Sequence, residues 1–174
     1  MSGDFSWYAL ATRHQHERAV EAALAAHQVE AFAPTYRTRR RWSDRMQELD
    51  APLFPGYIFG RFRAEDRARV LKTPGVVRVV GFGGIPAAVP DREIADIRMA
   101  LTSQLPLQPW PNLRPGDRVR IEDGPMRGVE GVLVREKTGA RLVIGVELLQ
   151  RWVAVEVDQR VIVPVDAVRA ALAI

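Results

Sequence analysis

Three glycines, Gly124, Gly128 and Gly131, lie between two valine-rich runs in RPGDRVRIEDGPMRGVEGVLV, residues Arg114 to Val134. Glycines so spaced can cradle a phosphate, which would make the chain a nucleotide enzyme. That chemistry needs a helix directly after the glycines, so that its N-terminal N–H groups meet the anion, and the Walker form also needs Gly-Lys-Ser/Thr. Here Gly131 leads into VLVRE, a strand pattern, and Gly-Lys-Ser/Thr does not occur. Asp123-Gly124-Pro125 therefore reads as a turn, and Gly128 and Gly131 as positions needing positive φ or close backbone approach. Other catalytic sets are equally lacking. There is no cysteine, the three histidines fall within the first 27 residues, and no acidic pair forms a recognisable motif. His14 and His16 have no carboxylate or thiolate partner at ligand spacing. The sequence predicts a binding protein, not an enzyme, with no cofactor and no metal site.

Three stretches could carry that binding. The chain has 23 arginines and two lysines, Lys72 and Lys137. Arginine forks onto phosphate and stacks on bases, so the bias suits nucleic acid, although a genome favouring arginine codons would give the same count. Five arginines against Asp44 fall between Arg37 and Arg45, in YRTRRRWSDR, interleaved with Tyr36 and Trp42. Arg39, Arg40, Arg41 and Trp42 are either a solvated face or a nucleic-acid contact. A second basic group, Arg13, His14, His16 and Arg18, opens the first helix and has the same two readings. The third stretch is LFPGYIFGRF. In a strand, Tyr57 and Phe59 share a face and Ile58 points the other way. Such rings can be core, can stack RNA bases as in the aromatic strand of the RNA-recognition motif, or can anchor a protein partner. Pro55 and Ile58 depart from that RNA-binding pattern.

The elements positioning these residues follow from periodicity. SWYALAT, VEAFAPTY, LFPGYIFGRF and VVRVVGF read as strands, with the arginine-rich stretch as an excursion between the second and third. HERAVEAALAAHQ, AEDRARVLKTPG and PDREIADIRMALTSQ read as helices. The order is β-α-β-β-α-β-α, an α+β sandwich on a mainly antiparallel sheet. Prolines at 106, 109, 111 and 115 then predict a linker over 106–113, separating a domain at 1–105 from one at 114–174. The second domain alternates with period two in five short strands, which fits a small closed barrel. No apolar run is long enough to span a membrane and the start lacks a secretory layout, so a cytoplasmic protein is expected.

With these elements in place, RPGDRVRIEDGPMRGVEGVL resembles the KOW motif, whose units form five-stranded SH3-like barrels in transcription elongation factors and some ribosomal proteins. The preceding unit, with WYAL at its start and LFPGYIFGRF in its middle, resembles the NGN domain of the NusG family, and the likeness covers nearly the whole chain. LFPGYIFGRF, VVRVVGFGG followed by PAAVP, and LLQRWVAVEV resemble the specialised RfaH and UpxY paralogues. The resemblance implies an elongation and antitermination factor whose NGN domain binds the clamp helices of RNA polymerase, suppressing pausing and termination at selected operons such as polysaccharide clusters. It assigns that contact to Phe54, Tyr57 and Phe59, with Trp7 and Tyr8 as support. Arg13 and Arg18 match basic positions that meet the non-template DNA strand in RfaH-type paralogues. Arg67 and Arg69 replace small hydroxyl residues at a second polymerase contact. The partner loop of the KOW domain, which in NusG meets a small-subunit ribosomal protein or Rho, falls on Leu149, Arg151 and Trp152, with Leu149 at the aromatic position. The barrel is rich in Val, Ile and Gly and is expected to stay a barrel. A monomer without membrane contact is expected. A general housekeeping NusG and an RNA-binding protein are the alternatives.

Overall fold

The apolar run SWYALAT becomes the strand around which the first sheet is built, in a computed structural model that describes residues 3–111 and 116–166. The elements are β1 (Ser6–Thr12), α1 (Glu17–Ala26), β2 (Glu30–Phe32), β3 (Thr35–Trp42), β4 (Arg45–Pro52), β5 (Tyr57–Phe62), α2 (Arg67–Leu71) and β6 (Val76–Val79). Three two-residue strands follow, β7 (Gly81–Phe82), β8 (Ile85–Pro86) and β9 (Ala88–Val89), and then α3 (Asp91–Thr102). The expected β-α-β-β-α-β-α order is present, with β2 and β5 as its middle strands. The arginine-rich excursion is half of the β3–β4 hairpin.

The sheet runs β2-β5-β1-β6 with every neighbour antiparallel, and β9 also pairs with β1. One face packs Tyr8, Leu10, Ile58, Phe62 and Val79 against Val20 and Leu24 of α1 and Val70 of α2. Val20 and Leu24 stand one turn apart, so a single stripe of α1 meets the sheet while its alanines favour the helix. Tyr8 and Phe62 bring their rings to 4.7 Å. The opposite face carries Trp7, Ala9, Tyr57, Phe59 and Arg61, as the β1–β5 register requires.

Contacts divide the chain into two units, Met1–Asp91 and Arg92–Ile174. The second holds α3 from its second residue on and, among the described residues, six strands, β10 (Leu107–Trp110), β11 (Arg118–Ile121), β12 (Glu130–Glu136), β13 (Gly139–Val146), β14 (Arg151–Val157) and β15 (Ile162–Pro164), in the antiparallel order β10-β14-β13-β12-β11-β15. The five strands expected from the sequence are β11 to β15. The sixth comes from the stretch expected to be a linker: Leu107–Trp110 pairs with β14, while 112 and 113 lie outside the described residues. Proline is excluded from central strands but not from an edge, where β10 lies, because an edge strand leaves half its N–H groups without a ladder partner. The division between units also falls ahead of the boundary expected at 105. Gly128 has φ +87°, and a Cβ on Gly131 would lie 2.5 Å from the Val143 carbonyl oxygen, so the two glycine readings hold at one position each.

Beside the strands, α3 contributes to a charged cluster. Arg120 donates to the Glu130 carboxylate at 2.7 and 3.1 Å, and Arg92 lies 3.6 Å from Glu130 and 3.8 Å from Asp96. The Arg120 hydrogen bonds hold Glu130 below the usual carboxylate range. Burial pushes Asp96 up from 3.8 to about 6, with Glu130 adding repulsion against the pull of Arg92. Because the folded form binds this proton more tightly than the unfolded chain, stability falls as pH rises from 3.8 to about 6. Asp96→Asn is expected to stabilise the protein by about 1–2 kcal/mol at pH 7 and to have little effect at pH 3.5, measured by urea unfolding at both.

Candidate functional site

The aromatic surface starts at the turn before β5. Tyr57 donates its N–H to the Phe54 carbonyl at 3.0 Å, Gly56 has φ +81°, and Pro55 precedes it. Proline then glycine at the centre of a tight turn is the type II preference. The turn launches β5 so that Tyr57, Phe59 and Arg61 share one face and Ile58 and Phe62 the other, as alternation predicts. Depth then separates the rings. Phe59 is fully buried, Phe54 is 1% exposed and meets it edge-on at 5.6 Å, and Phe32 lies tilted at 6.3 Å. Two of the three rings assigned to a partner contact are thus interior, and the accessible aromatics are Tyr57 and Phe32, both half-buried. Phe32 was missed because VEAFAPTY shows no partner for it until β2 pairs with β5, which places it opposite Phe59. A fully buried Phe59 also deprives the RNA reading of a second stacking ring. Trp7 and Tyr8 are buried, which suits support. Arg61 and Glu30 form a 3.7 Å ion pair at the edge of this face.

Arg13, His14, His16 and Arg18 are all exposed around the start of α1. His16 stands at the N-cap without capping through its side chain, and its ring Nδ1 lies 2.8 Å from the His14 carbonyl. Among the described residues no group of three or more His, Asp or Glu is placed to hold a metal ion.

The β3–β4 hairpin has two chemically different parts. Arg18, Asp50, Arg37, Glu48 and Arg39 form a chain of ion pairs at 3.1 to 3.8 Å along one side. Such exposed pairs contribute little stability, but they neutralise Arg18 and Arg39, two of the predicted nucleic-acid residues. Arg40, Arg41 and Arg45 enter none of these pairs, and Trp42, paired opposite Arg45, is 75% exposed. Three arginines against Asp44 therefore leave a net positive charge at the tip, around an open indole. Arg45 is the residue the sequence reading left out of the site, since only the register places it across from Trp42.

In the second unit, Leu149 is 9% exposed and points inward from the turn Glu147–Leu149, so it cannot present itself to a partner. Arg151 is exposed and Trp152 half-buried. Trp152 lies directly opposite Trp110 of β10, whose ring carries the Arg141 guanidinium at 5.6 Å. A Cβ on Gly145 would lie 2.2 Å from the Arg151 carbonyl oxygen and 2.7 Å from Trp152 Cε3, so the glycine makes room for the β14 backbone as well as the indole. Trp110 was hidden by the linker reading of its stretch.

A family model described as transcription termination factor NusG matches residues 5–98. The transcription termination/antitermination protein NusG of Lactococcus lactis is 29% identical over 181 residues, covering 96% of this chain and 97% of the relative. NusG of Escherichia coli K12 is 30% identical over 136 residues, 74% of each chain. Among solved structures, Thermotoga maritima NusG superposes with a TM-score of 0.54 at 23% identity, over 93% of this chain and 98% of that one, a likeness of fold.

Proposed function

This chain belongs to the NusG family of transcription termination and antitermination factors, and from that premise we propose that its first unit docks on the clamp helices of RNA polymerase through Tyr57 and Phe32. The supporting observation is the aromatic cluster itself. Tyr57 and Phe32 are half-open to solvent, Phe32 packs against buried Phe59, which meets buried Phe54 edge-on, and Tyr57 shares the face of Phe59; aromatic anchors on a rigid base lose little entropy on binding. Bound there, the protein holds the clamp in its closed state. It makes no covalent change; its binding energy biases a moving element between two positions, which suppresses pausing and termination.

Nucleic acid meets the molecule at the hairpin tip, through Arg40, Arg41, Arg45 and Trp42, and beside α1 through Arg13, with the non-template DNA strand as the target. Recruitment by that strand confines action to selected operons, polysaccharide clusters among them. The second unit presents Arg151 and Trp152 to a further partner, a small-subunit ribosomal protein or Rho. Work on polymerase places the protein in the cytoplasm, and no described helix is long and apolar enough to cross a membrane.

The test is binding to paused elongation complexes carrying several non-template sequences at fixed salt, comparing the parent chain with Tyr57→Ala and Phe32→Ala. Loss of about tenfold or more in affinity for each variant, with pause escape slowed to the factor-free rate, is expected. Selective binding to some sequences marks a recruited antiterminator, and equal binding to all marks a general factor. Full polymerase affinity in both variants, with RNA affinity lost, would overturn the clamp reading.

A further inference from the structure

Two carboxylates of α1 reach the loop residues next to the half-buried rings of Phe32 and Tyr57. Glu17, only 6% exposed, accepts the Gly56 N–H at 2.8 Å, and Gly56 immediately precedes Tyr57. Glu21, one helical turn on, accepts the Ala33 N–H at 2.9 Å, and Ala33 immediately follows Phe32. Each of these N–H groups lies just outside its strand. The β2–β5 ladder ends at the Phe32–Phe59 pair, and Gly56 precedes the first residue of β5. Gly56 adopts φ +81°, a conformation with no side chain of its own to hold it. Its carbonyl accepts the Thr12 N–H at 2.8 Å, so with Glu17 on the N–H both adjoining peptides are fixed.

A buried carboxylate is costly unless its hydrogen bonds are made, and bonds from backbone N–H to a charged acceptor are among the stronger ones. An apolar residue at position 17 could fill the same space beside Val20 without that cost. What it could not do is hold the peptide before Tyr57. The i, i+4 spacing puts both acids on one side of α1, and Val20 and Leu24 clamp that helix to the sheet.

We propose that Glu17 and Glu21 are positioning residues of the partner surface, fixing from one helix the two loops that set Tyr57 and Phe32. The proposal rests on the reading that these two rings meet polymerase. It makes α1 a crossbar: the β2–β5 ladder sets the spacing of the strands that carry the rings, and two hydrogen bonds one turn apart hold the peptides next to them.

The experiment uses the full chain with Glu17→Leu, Glu17→Gln and Glu21→Leu, checked for folding by thermal midpoint. Amide exchange at Gly56 and Ala33 is read by NMR in the free protein, and affinity is read on elongation complexes. Glu17→Leu should speed exchange at Gly56 and weaken binding roughly tenfold, and Glu17→Gln, which keeps an acceptor oxygen, should restore most of both. Combined with Tyr57→Ala, Glu17→Leu should weaken binding no further. An equal loss in the Tyr57→Ala background, or faster exchange at Gly56 with binding intact, would overturn the positioning role. Should Glu17→Leu not fold, Glu21→Leu decides the matter through Ala33 and Phe32. If Tyr57→Ala and Phe32→Ala themselves leave binding unchanged, the clamp reading fails instead. Exchange at Gly56 and Ala33 then judges positioning alone: acceleration supports it and no change sinks it.

Discussion

Phe59→Ala is expected to destabilise the first unit by about 3–5 kcal/mol, while Tyr57→Ala, two residues away on the same face, should cost about 1 kcal/mol. Phe59 has no exposure, and Phe54 and Phe32 pack against it at 5.6 and 6.3 Å. Across the sheet it faces Ala9, also fully buried, which has no atoms to spare for filling a hole. Removing the ring therefore leaves a cavity whose walls are strands on both sides, and strands held by two ladders collapse poorly. Tyr57 stands nearer the end of β5 and is half-open, so truncation returns surface to water that was partly there already. The two variants should separate cleanly. Urea unfolding followed by circular dichroism should show a large drop for Phe59→Ala only, and partner binding at a temperature where both are folded should fail for Tyr57→Ala. A Phe59→Ala protein as stable as its parent would mean that the ring is not the buried packing partner described above.

The second large effect lies in the strand ladder. Gly131 pairs with Val119 on one side, and on the other a Cβ would sit 2.5 Å from the Val143 carbonyl oxygen and 2.9 Å from Leu142 Cδ1. The carbonyl is backbone and the leucine beside it is fully buried, so neither offers a flexible end to move aside. Gly131→Ala must push β12 away from β13 or rotate it, and either change strips hydrogen bonds from two ladders at once. The expected cost is more than about 3 kcal/mol, enough to unfold the second unit at 37 °C, visible as rapid amide exchange through β11 to β14. Gly128→Ala is the control. Its φ is +87° but nothing lies within 4 Å, so only backbone strain of about 1–2 kcal/mol is added. If Gly131→Ala folds as well as Gly128→Ala, close approach is not the reason for the glycine.

Alternation carried most of the fold. Period-two patterning identified β11 to β15, and the strand read over LFPGYIFGRF is β5, shortened to Tyr57–Phe62 because Pro55 and Gly56 turn the chain ahead of it. Which face a ring occupies is written in the parity of its position; how deeply that face is covered is not, because it depends on neighbours distant in sequence. Phe54 and Phe59 went inside for that reason, as did Leu149, which stands where the resemblance placed an exposed aromatic. Pairing was the second invisible quantity. Phe32 gains its place from β5 and Trp110 from β14, partners far off in sequence, while Arg45 meets Trp42, only three residues back, because Ser43 and Asp44 turn the chain. The proline-rich stretch misled differently: proline argues against a central strand, and the chain used it at an edge. Charge was legible as a sum but not as a distribution, since the acids that neutralise Arg37 and Arg39 arrive only on the returning strand.

The β3–β4 hairpin pairs eight residues of each strand and forms a sheet of its own, so it is an arm of about 25 Å. Isolated two-stranded ribbons are weak, and the arm's ion pairs run from Arg18 on α1 outward to Arg39, bracing it near the root. Its free charge lies beyond the brace. If the tip meets nucleic acid as proposed, reach and grip are separate properties of one ribbon: strand length decides how far from the sheet a phosphate is met, and the last few residues decide how firmly. Shortening both strands by two residues would draw the tip in by about 7 Å and leave its faces unturned, whereas shortening each by one would reverse them. On the proposed reading, the distance to nucleic acid is thus adjustable in discrete steps without altering the aromatic face around Tyr57 and Phe32.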